Sequence, residues 1–144
     1  MGTMRDNIVT EPMKESPLRG EKGEIIKQNV FLLNSEAVPG APYAAATWYH
    51  RTFTAPAEQH THDADEYLSF IGGDPEHPEE LNARVTIRML DEDFTITKSC
   101  IIFIPAGTRH TEFSAYDIKR PFICFARCDV PKYSMNLEKE KADR

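Results

Sequence analysis

The sequence predicts an all-β domain, a sandwich or a closed barrel, and three observations carry that prediction. Short segments alternate apolar and polar residues with a period of two. Val85, Ile87 and Met89 stand against Arg84, Thr86 and Arg88, and Phe94 and Ile96 against Asp93, Thr95 and Thr97. These segments are rich in β-branched and aromatic residues, which suit a pleated, half-buried surface. Turn formers separate them closely, and no uninterrupted helical stripe runs between residues 40 and 130. Many short strands at such spacing mark sandwiches and barrels.

Taken in order, residues 1–22 are polar, broken by Pro12 and Pro17, and lack an apolar signal core. They are expected to form a flexible leader. The barrel is expected over residues 23–135. Its first apolar runs are Ile25-Ile26 and Val30-Phe31-Leu32-Leu33, and the turn-rich segment Val38-Pro39-Gly40-Ala41-Pro42 follows. Strand candidates then occupy 44–53, 66–71, 83–90, 93–98, 100–104 and 122–126. Gly72-Gly73-Asp74-Pro75, Leu90-Asp91-Glu92 and Pro105-Ala106-Gly107 break them apart. Residues 136–144 are almost all charged and read as a solvated tail or a short exposed helix.

Composition narrows the function. The chain of 144 residues is the size of one domain, and its formal charge is −6. That balance repels phosphate backbones, so neither nucleic acid nor an anionic membrane is an expected partner. No apolar run approaches the roughly 20 residues that span a bilayer. Residues 1–40 are neither basic nor patterned as a helix-turn-helix. Cys100, Cys124 and Cys128, odd in number and set among apolar neighbours, read as buried small hydrophobes in a reducing, cytoplasmic compartment.

The chemistry concentrates in Glu58-Gln59-His60-Thr61-His62-Asp63-Ala64-Asp65-Glu66. On a strand alternate side chains share a face, so His60 and His62 point the same way, about 7 Å apart at Cα. Glu66 has the same parity beyond a short acidic turn. His110 follows the tight turn Pro105-Ala106-Gly107 and offers a fourth ligand from a distant strand. Two same-face histidines, a phased glutamate and a third histidine after Pro-x-Gly form a set, where any one alone is weak. His77 lies in an acidic loop and reads as a surface residue.

His60-x-His62-x3-Glu66, with Gly72-Gly73 after it, resembles the first motif of the cupins, and Pro105-x-Gly107-x2-His110 resembles the second. The likeness covers residues 43 to about 128, with the motifs at 58–73 and 99–114. Lys98-Ser99 stands where the second motif opens on glycine, and Ser114 replaces its closing asparagine. The resemblance implies a double-stranded β-helix (jelly-roll) barrel carrying an N-terminal extension. It also implies one divalent metal ion per chain on His60, His62, Glu66 and His110. A carboxylate without thiolates favours Mn(II) or Fe(II), with Ni(II) or Zn(II) as alternatives. Four protein ligands on an octahedral ion leave two adjacent positions for a chelating substrate.

The expected function is metal-dependent chemistry on a small organic molecule, led by dioxygenase-type oxidation. A lyase, isomerase or decarboxylase acting on an enolisable substrate is the alternative, and a metabolite-sensing module is a third. Tyr67 is the expected proton-transfer residue, and Trp48, His50, Phe70 and Phe103 are the expected pocket. A homodimer is expected, with Ile25 to Leu33 adding to a neighbour's sheet.

Overall fold

Alternation along the chain becomes twelve strands among the residues that the computed structural model describes, 3–12, 16–131 and 133–137. They are β1 (Leu18–Arg19), β2 (Ile25–Leu33), β3 (Tyr43–Tyr49), β4 (Gln59–Thr61), β5 (Glu66–Gly72) and β6 (Glu80–Met89). β7 (Glu92–Lys98), β8 (Cys100–Ile104), β9 (His110–Thr111), β10 (Ser114–Tyr116), β11 (Phe122–Cys128) and β12 (Asn136–Leu137) follow. A 3-10 turn at Met4–Asn7 precedes them. One sheet runs β1-β2-β3-β11-β5-β8, and the other β10-β6-β9-β4-β12 with β7 on β6. All pairings are antiparallel. No helix among the described residues is long and apolar enough to cross a membrane.

Alternation decides which side chains enter the space between the sheets. On β6 Leu81, Ala83, Val85 and Ile87 are buried while Arg84 and Arg88 face water. On β5 Glu66, Leu68 and Phe70 point inward. Phe70 and Phe122 are wholly buried, and each contributes on the order of 1.5–3 kcal/mol relative to exposure. Tyr49 stacks on Phe122 with centroids 5.3 Å apart, and Phe113 meets both Tyr49 and Phe70 edge-on. Across the sheet Tyr49 pairs with Phe122, whereas Tyr43 pairs with Cys128, itself opposite Glu66. The aromatic cluster therefore fills the end of the barrel remote from Glu66.

Gly72 is required by a close approach, since a Cβ there would overlap the Glu80 carbonyl oxygen. Ser99, at the place of the motif glycine, donates to the Pro78 carbonyl and accepts from the Gly72 amide at 2.9 Å. Ser114 accepts from the Ala55 amide at 2.9 Å. Both departures from the motif thus remain turn-fixing residues.

Residues 16–19 of the expected leader dock on the barrel: β1 pairs with β2, and the Asn29 amide donates to Ser16 Oγ at 2.7 Å. Leu18 of β1 lines the interior cavity while 41% of it stays exposed. Within the chain β2 pairs with β3, its Lys27 and Asn29 matching the inward phase of Tyr49 and Thr47. At the other end Asn136 and Leu137 are strand, paired with Thr61 and His60. The rest of the expected tail, 138–144, lies outside the described residues.

Candidate metal centre

β4 is only three residues long, yet it sits between β9 and β12 and is held from both sides. His60 pairs with His110 on β9 and with Leu137 on β12. Beyond β4 the chain turns through Asp63 and Asp65 and crosses to the other sheet, entering β5 at Glu66. Asp65 accepts from the Ala106 amide at 2.9 Å, and Asp63 from the Asn136 side chain at 2.7 Å. The Gly107 amide donates to the His62 carbonyl at 3.0 Å. Gly107 has φ +80°, a left-handed turn that favours glycine. The two metal-motif segments are thereby locked together through their main chains, and both aspartates bind this framework rather than an imidazole.

The result brings His60, His62, Glu66 and His110 together, each at most 4% exposed. The ring centroids of His60 lie 4.9 Å from His62 and 4.3 Å from His110, with His62 and His110 at 5.1 Å. Glu66 Oε1 is 3.2 Å from His110 Nε2 and 3.6 Å from His62 Nε2. His62 Nδ1 lies 2.7 Å from the Ser134 carbonyl, and His110 Nδ1 lies 2.9 Å from the Thr108 carbonyl. A carbonyl only accepts, so both Nδ1 atoms carry protons. In the neutral rings Nε2 is then the free lone pair.

The electrostatics follow from this crowding. Burial, then the like charges of His110 and His62, push the His60 imidazole down to about 4. Burial raises the Glu66 carboxyl, but the adjacent His110 and His62 rings outweigh it and hold the group at about 2. Burial lowers His62, and its contacts with Glu66 and the Ser134 carbonyl more than reverse that, so it titrates above its ordinary value.

These residues fit a divalent ion. One ligand nitrogen from each of the three histidines lies within 4.8 Å of the others. Buried Nε2 atoms of His60 and His62 have no hydrogen-bond partner among the described residues, a costly arrangement unless something fills it. Convergent neutral imidazoles with a carboxylate beside them are a donor set for Mn, Fe, Ni or Zn. The triad has the chemistry of a divalent metal site.

A cavity of about 330 Å³ opens from His60, Glu66 and His110 into the barrel. Lys27, Tyr43, Thr47, Glu112, Cys124 and Tyr133 line it further. Burial pushes the Tyr43 phenol up to about 12 and the Tyr133 phenol above its usual range, so both stay protonated. The expected pocket residues Trp48, His50, Phe70 and Phe103 do not line this cavity. Trp48 alternates with the inward Thr47 and Tyr49, and His50, past the strand end, contacts Gln28 at 3.2 Å. Phe70 packs in the aromatic core, and Phe103, 54% exposed, is on the outer face of β8. Tyr67 lies outside as well, beside Phe103 at 5.3 Å, because its parity is opposite to that of Glu66. The expected proton-transfer role therefore has no support from the cavity lining.

Sequence reasoning missed Lys27, Tyr43, Thr47 and Glu112. Phasing β2 and β3 on Tyr49 identifies the first three, and adjacency to His110 points to Glu112. Tyr133 carried no signal, since it lies in a segment without alternation.

No protein-family model matches the chain, and no curated protein matches it. Among solved structures it is similar to the oxalate decarboxylase of Lactobacillus farciminis in a formate complex. The identity is 17% over 97% of this chain and 36% of that one, with a TM-score of 0.54. The oxalate decarboxylase of Bacillus subtilis, which has Mn(II) centres, shares 16% identity over 98% of this chain and 38% of that one, TM-score 0.52. A predicted oxalate decarboxylase of Thermotoga maritima shares 14% over 88% of this chain and 96% of that one, TM-score 0.51. The chain spans little more than a third of the first two proteins. At such identities the likeness establishes the fold alone, a double-stranded β-helix barrel.

Proposed function

We propose that this protein is a metal-dependent enzyme that moves a proton on a small, oxygen-chelating organic acid, as a lyase, isomerase or decarboxylase does. The observation that carries the reading is the pair of buried Nε2 atoms on His60 and His62, without a hydrogen-bond partner among the described residues, at the head of a cavity of about 330 Å³. His60, His62, His110 and Glu66 would hold the ion, Mn(II) or Fe(II) by donor type. When bound it supplies a Lewis acid that stabilises negative charge developing on a substrate oxygen.

The chain's own residues complete the chemistry. Glu112 is the lining carboxylate outside the histidine cluster, and it stands two residues from His110. It takes the role of proton acceptor. Tyr43 and Tyr133, ring centroids 5.0 Å apart, hold their protons and donate hydrogen bonds to substrate oxygens. Leu68, Phe113 and Ala126 form apolar wall that limits water around the reacting atoms.

Dioxygenase-type oxidation is the second reading, favoured by that same apolar lining and by the carboxylate-containing donor set. Metal-loaded protein is assayed with small enolisable acids in air and under argon. Turnover of equal rate under argon, abolished in Glu112→Gln with metal content retained, supports the proton-transfer reading. Turnover that stops without dioxygen supports the oxygenase. Absence of metal in freshly purified and in Mn(II)- or Fe(II)-reconstituted protein overturns both.

A further inference from the structure

The cavity is not symmetric in charge along its length. Lys27 lines it from β2, at the end remote from the metal centre. Its ammonium sits 4.1 Å from the centroid of the Phe53 ring and 5.8 Å from that of Tyr49. Among the described residues it forms no hydrogen bond and no ion pair; Glu112 is its nearest electrostatic counterpart, beyond salt-bridge distance. A half-buried lysine over two aromatic rings with no carboxylate against it is a charge lacking its anion. Beside it Thr47 Oγ1 donates to Asn29 Oδ1 at 2.7 Å. That bond fixes the amide so that the Asn29 Nδ2 group remains as a second donor in the cavity wall.

Register places Lys27 far from Glu66. Lys27 lies opposite Tyr49, and Glu66 lies level with Tyr43 through Cys128. Six residues of β3 separate the two levels, about 20 Å along the strand by its rise, shortened by side chains reaching inward. With a divalent ion present, Lys27 against Glu66 and Glu112 leaves the lining with a surplus of positive charge.

We infer that Lys27, with Asn29, is an anion-binding subsite that selects elongated substrates: an oxygen-chelating head at the metal centre and a carboxylate tail at the far end of the cavity. The inference rests on the metal-site reading above and extends it to the substrate's shape and charge. The cavity has room for about ten water-sized groups, well beyond a two-carbon acid. Specificity would come from the tail, because losing its partner leaves the Lys27 charge buried and unpaired.

Monohydroxamates of α,ω-dicarboxylic acids from four to ten carbons provide the test, compared with alkyl hydroxamates of equal length that lack the tail carboxylate. Binding to Mn(II)-loaded full-length protein is measured by calorimetry. The acid-tailed probe should bind about tenfold or more tightly than its neutral twin at the longer lengths, and not at four carbons. Lys27→Met should erase that preference, with Lys27→Arg restoring part of it, at unchanged metal content in both. Equal binding of the twins by the wild-type protein at every length overturns the Lys27 inference and leaves the metal site standing. Failure of every hydroxamate together with failure to retain Mn(II) overturns the metal-site reading itself.

Discussion

His62 Nδ1 donates to the carbonyl oxygen of Ser134 across 2.7 Å, joining positions seventy-two residues apart in the chain. The bond fixes the tautomer that turns Nε2 toward the metal site, and it is made by a segment with no metal ligand of its own. Such partners orient a ligand and raise its basicity. Ending the chain at Pro131 should therefore lower metal affinity about 10- to 100-fold while the barrel stays folded. Competition with a chelator, with far-ultraviolet circular dichroism as the folding control, measures this. Unchanged affinity in the shortened chain would show that the Ser134 contact is incidental.

Replacing a ligand should act more severely than removing its support. His60→Ala, His62→Ala and His110→Ala should each abolish metal retention, because the remaining donors no longer enclose the ion. His77, exposed in the loop with Asp74 and Glu76, should tolerate alanine without loss. Elemental analysis of the purified variants decides it, and equal metal content in all four would dispose of the site.

Acid should destabilise the metal-free protein. His60 has a folded value of about 4 against 6.5 unfolded, so between these values only the unfolded chain binds the proton. Stability therefore falls as pH drops through that window, by about 2–3 kcal/mol for this group. Glu66, at about 2 against 4.5, adds a further loss as pH drops below 4.5. His62 has the opposite sign: its raised folded value gives stability that is full below 6.5 and is lost as pH rises from 6.5 through the folded value. Thermal melts of the metal-free protein should show the loss from pH 6.5 to 4 largely removed in His60→Asn. A variant that keeps the full slope would place the titration elsewhere.

What could be read in the sequence follows from which forces are local. Period two along β6 and β7 is imposed by one wet and one buried face, so Val85, Ile87, Phe94 and Ile96 announced their strands. His60, His62, Glu66 and His110 were legible because parity and a Pro-x-Gly turn are both written in adjacent residues. The pocket was not. Trp48 and Tyr67 are aromatic and near the motif, but one step of phase turns them to the outer face, and only the neighbouring strands fix that phase. Tyr133 and Ser134 depend on contacts over more than seventy residues, for which the chain carries no local sign.

The cysteines should resist modification. Burial pushes the Cys124 thiol well up, and burial together with the nearby Glu66 charge pushes Cys128 up to about 11. Both remain thiols at pH 8 and are poor nucleophiles. Cys100, half-exposed on β8, should label first in the native protein, and the other two only on unfolding. Rapid native labelling of two or three thiols would overturn the assignment.

Leu90 and Asp91 form the two-residue connection between β6 and β7, with φ of +49° and +66°. Both central residues are left-handed, as in the turn that matches the twist of a tight hairpin, and asparagine or glycine suits that conformation. Asp91 has a structural reason to stay, since it accepts from Gln59 at 2.8 Å and from Arg109 at 2.6 Å. Leu90 has none of this kind: its side chain is 61% exposed, and its backbone amide donates to the Arg109 carbonyl, a bond that any residue but proline keeps. The left-handed conformation costs leucine about 1–2 kcal/mol. Leu90→Asn should therefore stabilise the protein by about 1 kcal/mol and raise its melting temperature by a few degrees. Because β7 hangs on the sheet through β6 alone, slower amide exchange along Glu92 to Lys98 should accompany the gain. A neutral or destabilising effect would mean that the exposed leucine is covered in solution, and that this hairpin tip belongs to an interface.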